Sequence, residues 1–433
     1  MKINSTRFSP RLAAALGLFA SAPAFAQDAA ASAVNSGDVA WIMVSAALVM
    51  LMTPGLAFFY AGMVRAKSAV STIAQSFIAL SVISIVWYLF GYSLAFAPGS
   101  ALIGGLDWSF FNGVGGTPNA DYAATIPHSL FALYQGMFAI ITPALIAGAF
   151  AERMKFGAYI AFIALWSILI YSPVAHWVWG VGGLLRGWGI LDFAGGLVVH
   201  QTAGFSALAA AIVIGKRSDY GKVNYASNSI PLIAIGTGLL WFGWFGFNGG
   251  SALGSGELAV SAFSSTHFAA ASAGLVWGLM DKMLKGKFSF VGVCIGIVVG
   301  LVAVTPAAGF VTVGSGLLIG AVSSALANLV AHFRAKSQLD DSLDVFACHG
   351  VGGLVGSLMT GLLCSKAVNA AGADAGMGQF FIQLKSSLIV AAFAFVGTFV
   401  ILKVLKAVFG LRPSVSEENV GLDQVDHGEK AYT

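Results

Sequence analysis

The chain has 433 residues, of which 58% are hydrophobic and only 9% charged, whereas an average soluble domain carries about 25% charged residues. This composition excludes a soluble globular protein. The formal charge of +4 includes Lys2, Arg7 and Arg11, and without these three the chain has 19 basic and 18 acidic residues, which gives no support to nucleic-acid binding. A mean hydropathy of +0.85 and 54 glycines are typical of a bundle of transmembrane helices.

The first 26 residues have the pattern of a secretory signal peptide. A basic start is followed by an apolar run over 12–22 and by Ala24-Phe25-Ala26, which fits the A-x-A cleavage rule. We therefore expect residues 1–26 to be removed and the mature chain to begin near Gln27, outside the cytoplasm. An uncleaved first anchor is the alternative, because another hydrophobic segment follows closely, but the small-residue site favours cleavage.

About eleven hydrophobic spans follow. The breaks between them are short and hold the few charges, so we expect one all-α transmembrane domain over 27–410 and a polar tail over 411–433. The predicted spans are 39–61, 69–96, 127–150, 157–180, 193–215, 229–248, 258–281, 289–306, 311–333, 345–364 and 379–408.

The positions of the basic residues predict the orientation. With the mature N-terminus outside, only Arg186 and Lys366 fall in outer loops. The inner loops then hold twelve basic residues: Arg65, Lys67, Arg153, Lys155, Lys216, Arg217, Lys222, Lys282, Lys285, Lys287, Arg334 and Lys336. Because basic residues concentrate on the cytoplasmic side, we expect a multi-pass membrane protein with a cytoplasmic C-terminal tail.

Ten of the spans divide into two groups of five, which run in opposite directions because five is odd. Two inverted five-helix repeats, followed by a final long helix, are therefore expected. Each half ends in a glycine-rich span with an Asp before a His, at Asp192 and His200 and at Asp344 and His349. Because the separations differ, eight residues against five, the duplication is a suggestion at this point.

His200 and His349 fall inside apolar spans. An imidazole in hydrocarbon is costly unless it faces a partner or a pathway, so both are candidates for function. A single such histidine is more often a core residue bonded to a backbone carbonyl, but two at comparable places in two halves favour a pair that passes protons. Asp192 has two interpretations, the N-cap of a helix or the support of a nearby binding site.

Aromatic residues are dense at Trp177-x-Trp179 and over 241–248, where their ring faces could hold a small cation near the outer mouth. Enzyme motifs are lacking, with no P-loop, H-E-x-x-H or dinucleotide fingerprint, and the three cysteines have no metal-site spacing. The residues therefore favour a small-solute conductor that is not an enzyme and needs no metal or cofactor.

Seven segments carry a resemblance to a known family. The chain resembles the ammonium transporter (Amt/Mep/Rh) family, and within it the bacterial Amt branch, over essentially the whole mature chain. The segments are MTPGLAFFYAGMVRAKS (52–68), SPVAHWVWGVGGLL (172–185), DFAGGLVVHQTAGFSALAAAIVIGKR (192–217), WFGWFGFNGGS (241–251), VTPAAGFV (304–311), DVFACHGVGG (344–353) and GLDQVDHGEKAY (421–432).

The resemblance implies a role for individual residues. It places an ammonium-binding site at Phe138, Trp179 and Ser251, with the carbonyl near Ala194 as a further acceptor. It makes Phe138 and Phe247 the rings that close the mouth, and His200 and His349 the twin histidines of the pore. Asp192 and Thr305 become supporting residues, with Thr305 at the inner end of the pathway. Tyr134 is expected to shape the vestibule.

The resemblance also implies partners and a mechanism. We expect a homotrimer in the lipid bilayer, with ammonium, ammonia and methylammonium as solutes and with a cytoplasmic PII-type signalling protein as regulator. Ammonium would bind outside, lose its proton and cross as ammonia past the histidines, while the proton follows a separate route. The alternatives are an electroneutral ammonia or carbon dioxide channel of the Rh type and an ammonium sensor.

Overall fold

The computed structural model describes residues 34–432 and consists of helices joined by loops, the longest of which is 97–127. The expected signal peptide lies outside these residues. Eleven long helices are present in the described part: α1 (Ser36–Met63), α2 (Ala66–Phe96), α3 (His128–Phe150), α4 (Phe156–Trp179), α5 (Gly196–Ile214), α6 (Ile230–Ala252), α7 (Glu257–Lys285), α8 (Phe290–Val304), α9 (Val313–Ala335), α10 (Phe346–Leu363) and α11 (Met377–Phe409).

The prediction of about eleven helices is confirmed for the residues described. Nine of the helices are long and apolar enough to cross a membrane, while α7 is more polar and α8 has only 15 residues. Their ends follow local capping rules: the Asn35 side chain accepts the N–H groups of Gly37 and Asp38 at the start of α1. At the C-terminal end of α7 the chain turns at Gly286, which has a φ of +78°, a backbone conformation that glycine adopts without strain.

The two halves of the chain make equivalent contacts. The Phe193 N–H, before α5, donates to the Pro306 carbonyl after α8 at 3.1 Å. In the other half the Ser342 N–H, before α10, donates to the Ala149 carbonyl at the end of α3 at 3.2 Å. These matching bonds relate α3 and α5 to α8 and α10, as inverted repeats require.

The helices α5 and α10 cross where both carry glycine. A Cβ atom on Gly204 would lie 2.0 Å from the Gly350 nitrogen, and one on Gly353 would lie 2.8 Å from the Gly196 carbonyl oxygen. Only glycine allows this approach. Both helices also begin with a wider π-helical turn, over Gly196–Gln201 and Phe346–Val351, and each turn contains one of the two candidate histidines.

The proposed pairing of Asp192 with Asp344 was wrong. The counterpart of Asp192 is Asp341, which lies eight residues before His349, just as Asp192 lies eight residues before His200. The Asp341 carboxylate accepts the N–H groups of Val345 at 3.1 Å and Phe346 at 2.8 Å at the start of α10. Asp344 instead forms an ion pair with Arg334 at 2.7 Å, because its φ of +55° turns it away from the helix start.

The end of the bundle that carries the loop 97–127 is called the outer end below, and the end that carries the residues after α11 is called the inner end. At the inner end the residues from 411 onward run along the bundle. Lys67 donates to the carbonyls of Glu418 and Asn419, at 2.7 and 2.8 Å, and the Ser71 N–H donates to Asp423 at 2.8 Å. The tail therefore packs against the start of α2.

A buried ion pair also lies at the inner end. Arg217 contacts the Asp340 carboxylate through three N–H groups at 2.8 to 3.0 Å. Burial alone would raise the pKa of Asp340, but the hydrogen bonds from Arg217 and the positive charges of Arg153 and Arg217 hold that pKa below its usual range. The loop that leads into α10 is thus fixed by charged partners.

Candidate functional site

A vestibule of about 500 Å³ opens at the outer end. Phe138, Trp179 and Ser251 line it, as does Asp192, so the structure brings together three residues that the resemblance placed at the ammonium site and the aspartate that it gave as a supporting residue. Asp121 and Arg186 add one charge of each sign to its wall. The vestibule is large enough for a hydrated small cation.

The rings and polar atoms at the base of the vestibule are held by hydrogen bonds. Trp179 lies with its ring centre 6.0 Å from that of Phe138, and its Nε1–H donates to the Asp192 carbonyl at 2.9 Å. The Ser251 hydroxyl donates to the Phe247 carbonyl at 2.8 Å, which leaves its oxygen lone pairs able to accept from a cation. Ring faces and an acceptor oxygen therefore meet at one place.

Tyr134 supports this base from below. It is fully buried, and its hydroxyl oxygen lies 2.9 Å and 3.0 Å from the carbonyl oxygens of Gly246 and Phe247. The same hydroxyl is 3.3 Å from Ser251 Oγ. Tyr134 therefore fixes the part of α6 that carries Phe247 and Ser251, but it is not itself among the residues that line the vestibule.

Asp192 has the structural role that one of its two interpretations predicted. Its carboxylate accepts four successive backbone N–H groups, from Gly195, Gly196, Leu197 and Val198, at 2.5 to 3.1 Å. This arrangement satisfies the free donors at the start of α5 and places a negative charge at the positive end of the helix. Asp192 also lines the vestibule, so both interpretations describe real features of its position.

Phe138 and Phe247 form a ring pair between the vestibule and the interior. Their ring centres are 4.4 Å apart, and both side chains are buried. Directly below the pair is a cavity of about 10 Å³, which holds roughly one water-sized molecule. Apart from His200 and His349 its lining is apolar or aromatic: Met52, Leu56, Phe59, Tyr60, Ile141, Leu145, Leu240, Trp244, Phe247 and Val298.

His200 and His349 meet in this cavity. Their Nδ1 atoms are 3.3 Å apart, and the two rings are inclined by 28°. Trp244 stacks on the His200 ring with centres 5.3 Å apart. One ring must donate its Nδ1–H and the other accept it, so the pair shares a proton and presents Nε2 atoms in complementary states. Within residues 34–432, His200 Nε2 is buried and has no hydrogen-bond partner.

Thr305 and Ala194 do not lie where the resemblance implied. Thr305 is not at the inner end of the pathway: its hydroxyl accepts the Trp244 Nε1–H at 2.9 Å, beside His200. The reason is direction, because α8 starts at the inner end and Thr305 follows its last residue. Ala194 is buried beside the vestibule, directly before Gly195 with its φ of +111°, and is not among the vestibule's lining residues.

The pathway continues to the inner end through residues that the sequence reasoning missed. Met63, Ile295 and Leu343 border both a small cavity below His349 and a wide inner vestibule of about 910 Å³. They carry no chemical signal in the sequence, since aliphatic side chains are common throughout the chain. Arg217, Lys285, Arg334, Lys336 and Asp344 line the inner vestibule.

Comparison with known proteins places this arrangement in a family. The model of the Ammonium Transporter Family matches residues 40–432. The chain belongs to the ammonium transporter family. It is 48% identical over 404 residues to the Ammonium transporter of Bacillus subtilis, covering 92% of this chain and 99% of that protein. It is 47% identical over 403 residues to Ammonium transporter Amt1 of Archaeoglobus fulgidus, covering 92% and 100%.

Solved structures of the family have the same fold. The crystal structure of Candida albicans Mep2 superposes with a TM-score of 0.84 at 40% identity, and the match covers 89% of this chain and 88% of that one. Family membership therefore applies to the part of the chain that contains both vestibules, the ring pair and the two histidines.

Proposed function

We propose that the protein transports ammonium across a membrane. The relatives named above are ammonium transporters, and this chain has the features that such a task requires. The single observation that carries the mechanism is the contact of His200 with His349 inside an otherwise apolar cavity, directly below the ring pair of Phe138 and Phe247.

The proposed cycle begins in the outer vestibule. Ammonium binds between the rings of Phe138 and Trp179 and donates a hydrogen bond to Ser251. Cation–π attraction and an acceptor oxygen replace part of the lost hydration. Ammonium and potassium are similar in size, so a pore diameter cannot separate them, but only ammonium donates hydrogen bonds and can release a proton. Selection therefore depends on chemistry rather than on fit.

The proton leaves ammonium before the solute passes the ring pair. A permanent charge in the apolar cavity would cost several kcal/mol or more, whereas neutral ammonia would not. Ammonia then passes His200 and His349, which alternate as donor and acceptor along the cavity. The proton crosses separately from ammonia, by a hydrogen-bonded route in which His200 and His349 act as the relay, so the net process carries charge.

Assembly, location and regulation are also part of this proposal. The chain forms a homotrimer in the inner membrane of a bacterium, with a cleaved signal peptide and with the tail in the cytoplasm. A PII-type signalling protein binds the cytoplasmic face. The contacts of the tail with Lys67 and Ser71 support regulation by such a protein. They lie at the inner end of the bundle, where a protein bound to the cytoplasmic face can alter the position of the tail.

The test is an electrical measurement on the purified full chain in proteoliposomes. An ammonium jump on a solid-supported membrane should produce a saturating current, and an equal potassium jump should not, with empty liposomes as the blank. Rapid internal alkalinisation without current would support the electroneutral channel instead. A protein that binds ammonium but moves neither charge nor ammonia would support the sensor.

A further inference from the structure

Gln383 of α11 is bonded to the backbone of a segment that precedes α5. Its side chain is fully buried, and its Oε1 accepts the Leu191 N–H at 2.9 Å. Its Nε2 donates to the Leu191 carbonyl at 2.8 Å and to the Ser357 carbonyl at 3.1 Å. One amide thus satisfies both backbone groups of Leu191, so Leu191 cannot slide along α11 without losing both bonds.

The residue that Gln383 holds is directly before Asp192. The Asp192 carbonyl accepts the Trp179 Nε1–H at 2.9 Å, and its carboxylate caps α5. One turn before Gln383, Gln379 donates to the Gly189 carbonyl at 2.9 Å. Two glutamines on one face of α11 therefore hold both ends of a short segment, and this segment supports the ring of the outer cation site.

The equivalent segment in the second repeat is held by a different chemistry. Asp340 stands directly before Asp341, as Leu191 stands before Asp192, and its carbonyl accepts from Arg153 at 2.5 Å. Arg217 pairs with its carboxylate. At the inner end the segment is thus fixed by guanidinium groups, whereas at the outer end it is fixed by a neutral amide.

This difference fits the task of the outer end. Arg186 already lines the vestibule and donates to the Trp179 carbonyl at 2.6 Å. A second guanidinium in the place of Gln383 would add to the repulsion of a cation approaching Phe138 and Trp179, because the buried site screens charge poorly. The amide of Gln383 satisfies the same kinds of backbone group and adds no net charge. It comes from α11, the helix that lies outside the two repeats, so the segment before Asp192 is held without a positive charge beyond that of Arg186.

We infer that Gln383 is a positioning residue for the outer ammonium site. It acts through Leu191 and Asp192, and it sets the position of Trp179 against Phe138. This inference rests on the proposed function, since it assigns Gln383 to the site at which ammonium is captured. It predicts a change in the concentration dependence of transport rather than a general loss of activity.

The test compares three variants of the full chain in proteoliposomes by ammonium-induced current. Gln383→Met keeps the volume and loses the hydrogen bonds, and it should raise the half-saturating ammonium concentration about fivefold, the effect of one net hydrogen bond, with the maximum current changed by less than about twofold. Ser357→Ala removes only a side-chain oxygen and leaves both bonds to Leu191, so the half-saturating concentration should stay as in the wild type.

Thr398→Ala is the matched control. Thr398 is on the same helix, is equally buried and is hydrogen-bonded to Ser206 and Trp166, but it is far from the vestibule. It should leave the half-saturating concentration unchanged. If Gln383→Met and Thr398→Ala reduce the maximum current alike with no shift in half-saturation, Gln383 is a packing residue only and the inference is wrong.

Gln379→Leu provides a second measurement should Gln383→Met fail to reach the membrane. Gln379 is only partly buried, and its loss should raise the half-saturating concentration about twofold, since one weaker bond to the same segment is removed. An unchanged value would overturn the inference. A wild-type protein without saturable ammonium transport would instead overturn the proposed function, and this inference with it.

Discussion

Asp192 and Asp341 occupy equivalent positions in the two repeats, each eight residues before a pore histidine. Each carboxylate accepts the N–H groups four and five residues later, Gly196 and Leu197 in one case and Val345 and Phe346 in the other. Only Asp192 also lines a vestibule that contains ring faces. The pair therefore separates two features that are combined at Asp192, capping a helix and lining the vestibule of the proposed cation site.

Replacing either carboxylate by an amide tests this separation. In Asp192→Asn and Asp341→Asn, an amide NH₂ replaces one of the two carboxylate oxygens that accept backbone N–H groups. Each substitution should lower the free energy of unfolding by about 1–3 kcal/mol, the usual contribution of hydrogen bonds to a charged group. Only Asp192→Asn should also raise the half-saturating ammonium concentration. The measurement pairs thermal unfolding in detergent with ammonium-induced current. Equal effects of the two variants on half-saturation would show that capping alone explains Asp192.

The contact between His200 and His349 leads to a second prediction. Replacing both by Ala removes the two imidazole rings of the cavity, so charge should no longer follow the solute. The ammonium current should fall at least tenfold while the protein still reaches the membrane. Positioned acid–base groups typically accelerate a proton-transfer step about 100-fold to 10,000-fold. Wild-type ammonium current with wild-type selectivity over potassium in the double variant would rule out the proton relay.

Much of this site could be predicted from the sequence because a polar residue in an apolar span is conspicuous. His200 and His349 were found in this way, and the helix count followed from hydropathy. Asp341 was missed because Asp344 is nearer to His349 in sequence, although the eight-residue separation from the histidine, the same as for Asp192 and His200, points to Asp341. The bonds to Val345 and Phe346 then show that the Asp341 carboxylate reaches the helix start.

Other residues could not be found because their partners are distant in the chain. Gln383 contacts Leu191 across 192 positions, and no local pattern indicates which backbone group a glutamine on a long helix will bind. Met63 and Ile295 line the pathway only because α1 and α8 converge at the inner end. Thr305 was assigned to the wrong end because a motif gives identity but not the depth at which a helix ends.

Tyr134 carries a third prediction. Tyr134→Phe leaves the Gly246 carbonyl without its hydroxyl partner and loosens the turn of α6 that holds Phe247. We expect a loss of about 1–2 kcal/mol in the free energy of unfolding and a measurable potassium current where the wild type has little. Both follow from one cause, the mobility of the Phe247 ring, and both are measured on the same purified variant.

Tyr159→Phe is the control for this experiment. Tyr159 is also fully buried, but its hydroxyl has no hydrogen-bond partner within the described residues. Its removal should leave stability and selectivity unchanged or slightly improved, because an unpaired buried hydroxyl is unfavourable. Similar losses in both variants would mean that a generic tyrosine effect, rather than the bonds to α6, supports the ring pair.

The Arg217–Asp340 pair gives a prediction for pH. The pKa of Asp340 is lowered in the folded protein, so its contribution to stability is present above its ordinary value of 3.8 and is lost as the pH falls through the lowered pKa. Arg217→Gln removes the main partner, so acid unfolding should begin at a pH about one unit higher than in the wild type. Lys336→Gln, an exposed cation at the same end, is the control. Identical acid midpoints for Arg217→Gln and the wild type would contradict the prediction.

The tail gives the last prediction. It is tied to the bundle by Arg412, which donates to the carbonyls of Ile214 and Lys216, by the bonds that Lys67 donates to tail carbonyls, and by Asp423 at the start of α2. Removing all residues after Gly410 takes these contacts away but leaves every residue of the outer site and of the histidine cavity in place. Ammonium current should therefore persist, with its half-saturating concentration unchanged.

Regulation should be lost in the same truncated protein. A PII-type protein that reduces the current of the full chain should have no effect after truncation, because the tail contacts at Lys67 and Ser71, through which its binding would act, are then absent. Glu418→Gln is the milder variant, since it breaks only the pair with Arg412 and should weaken the regulation without abolishing it. If the truncated protein is inhibited as strongly as the full chain, the regulator binds elsewhere on the inner face and the tail serves only to stabilise the bundle.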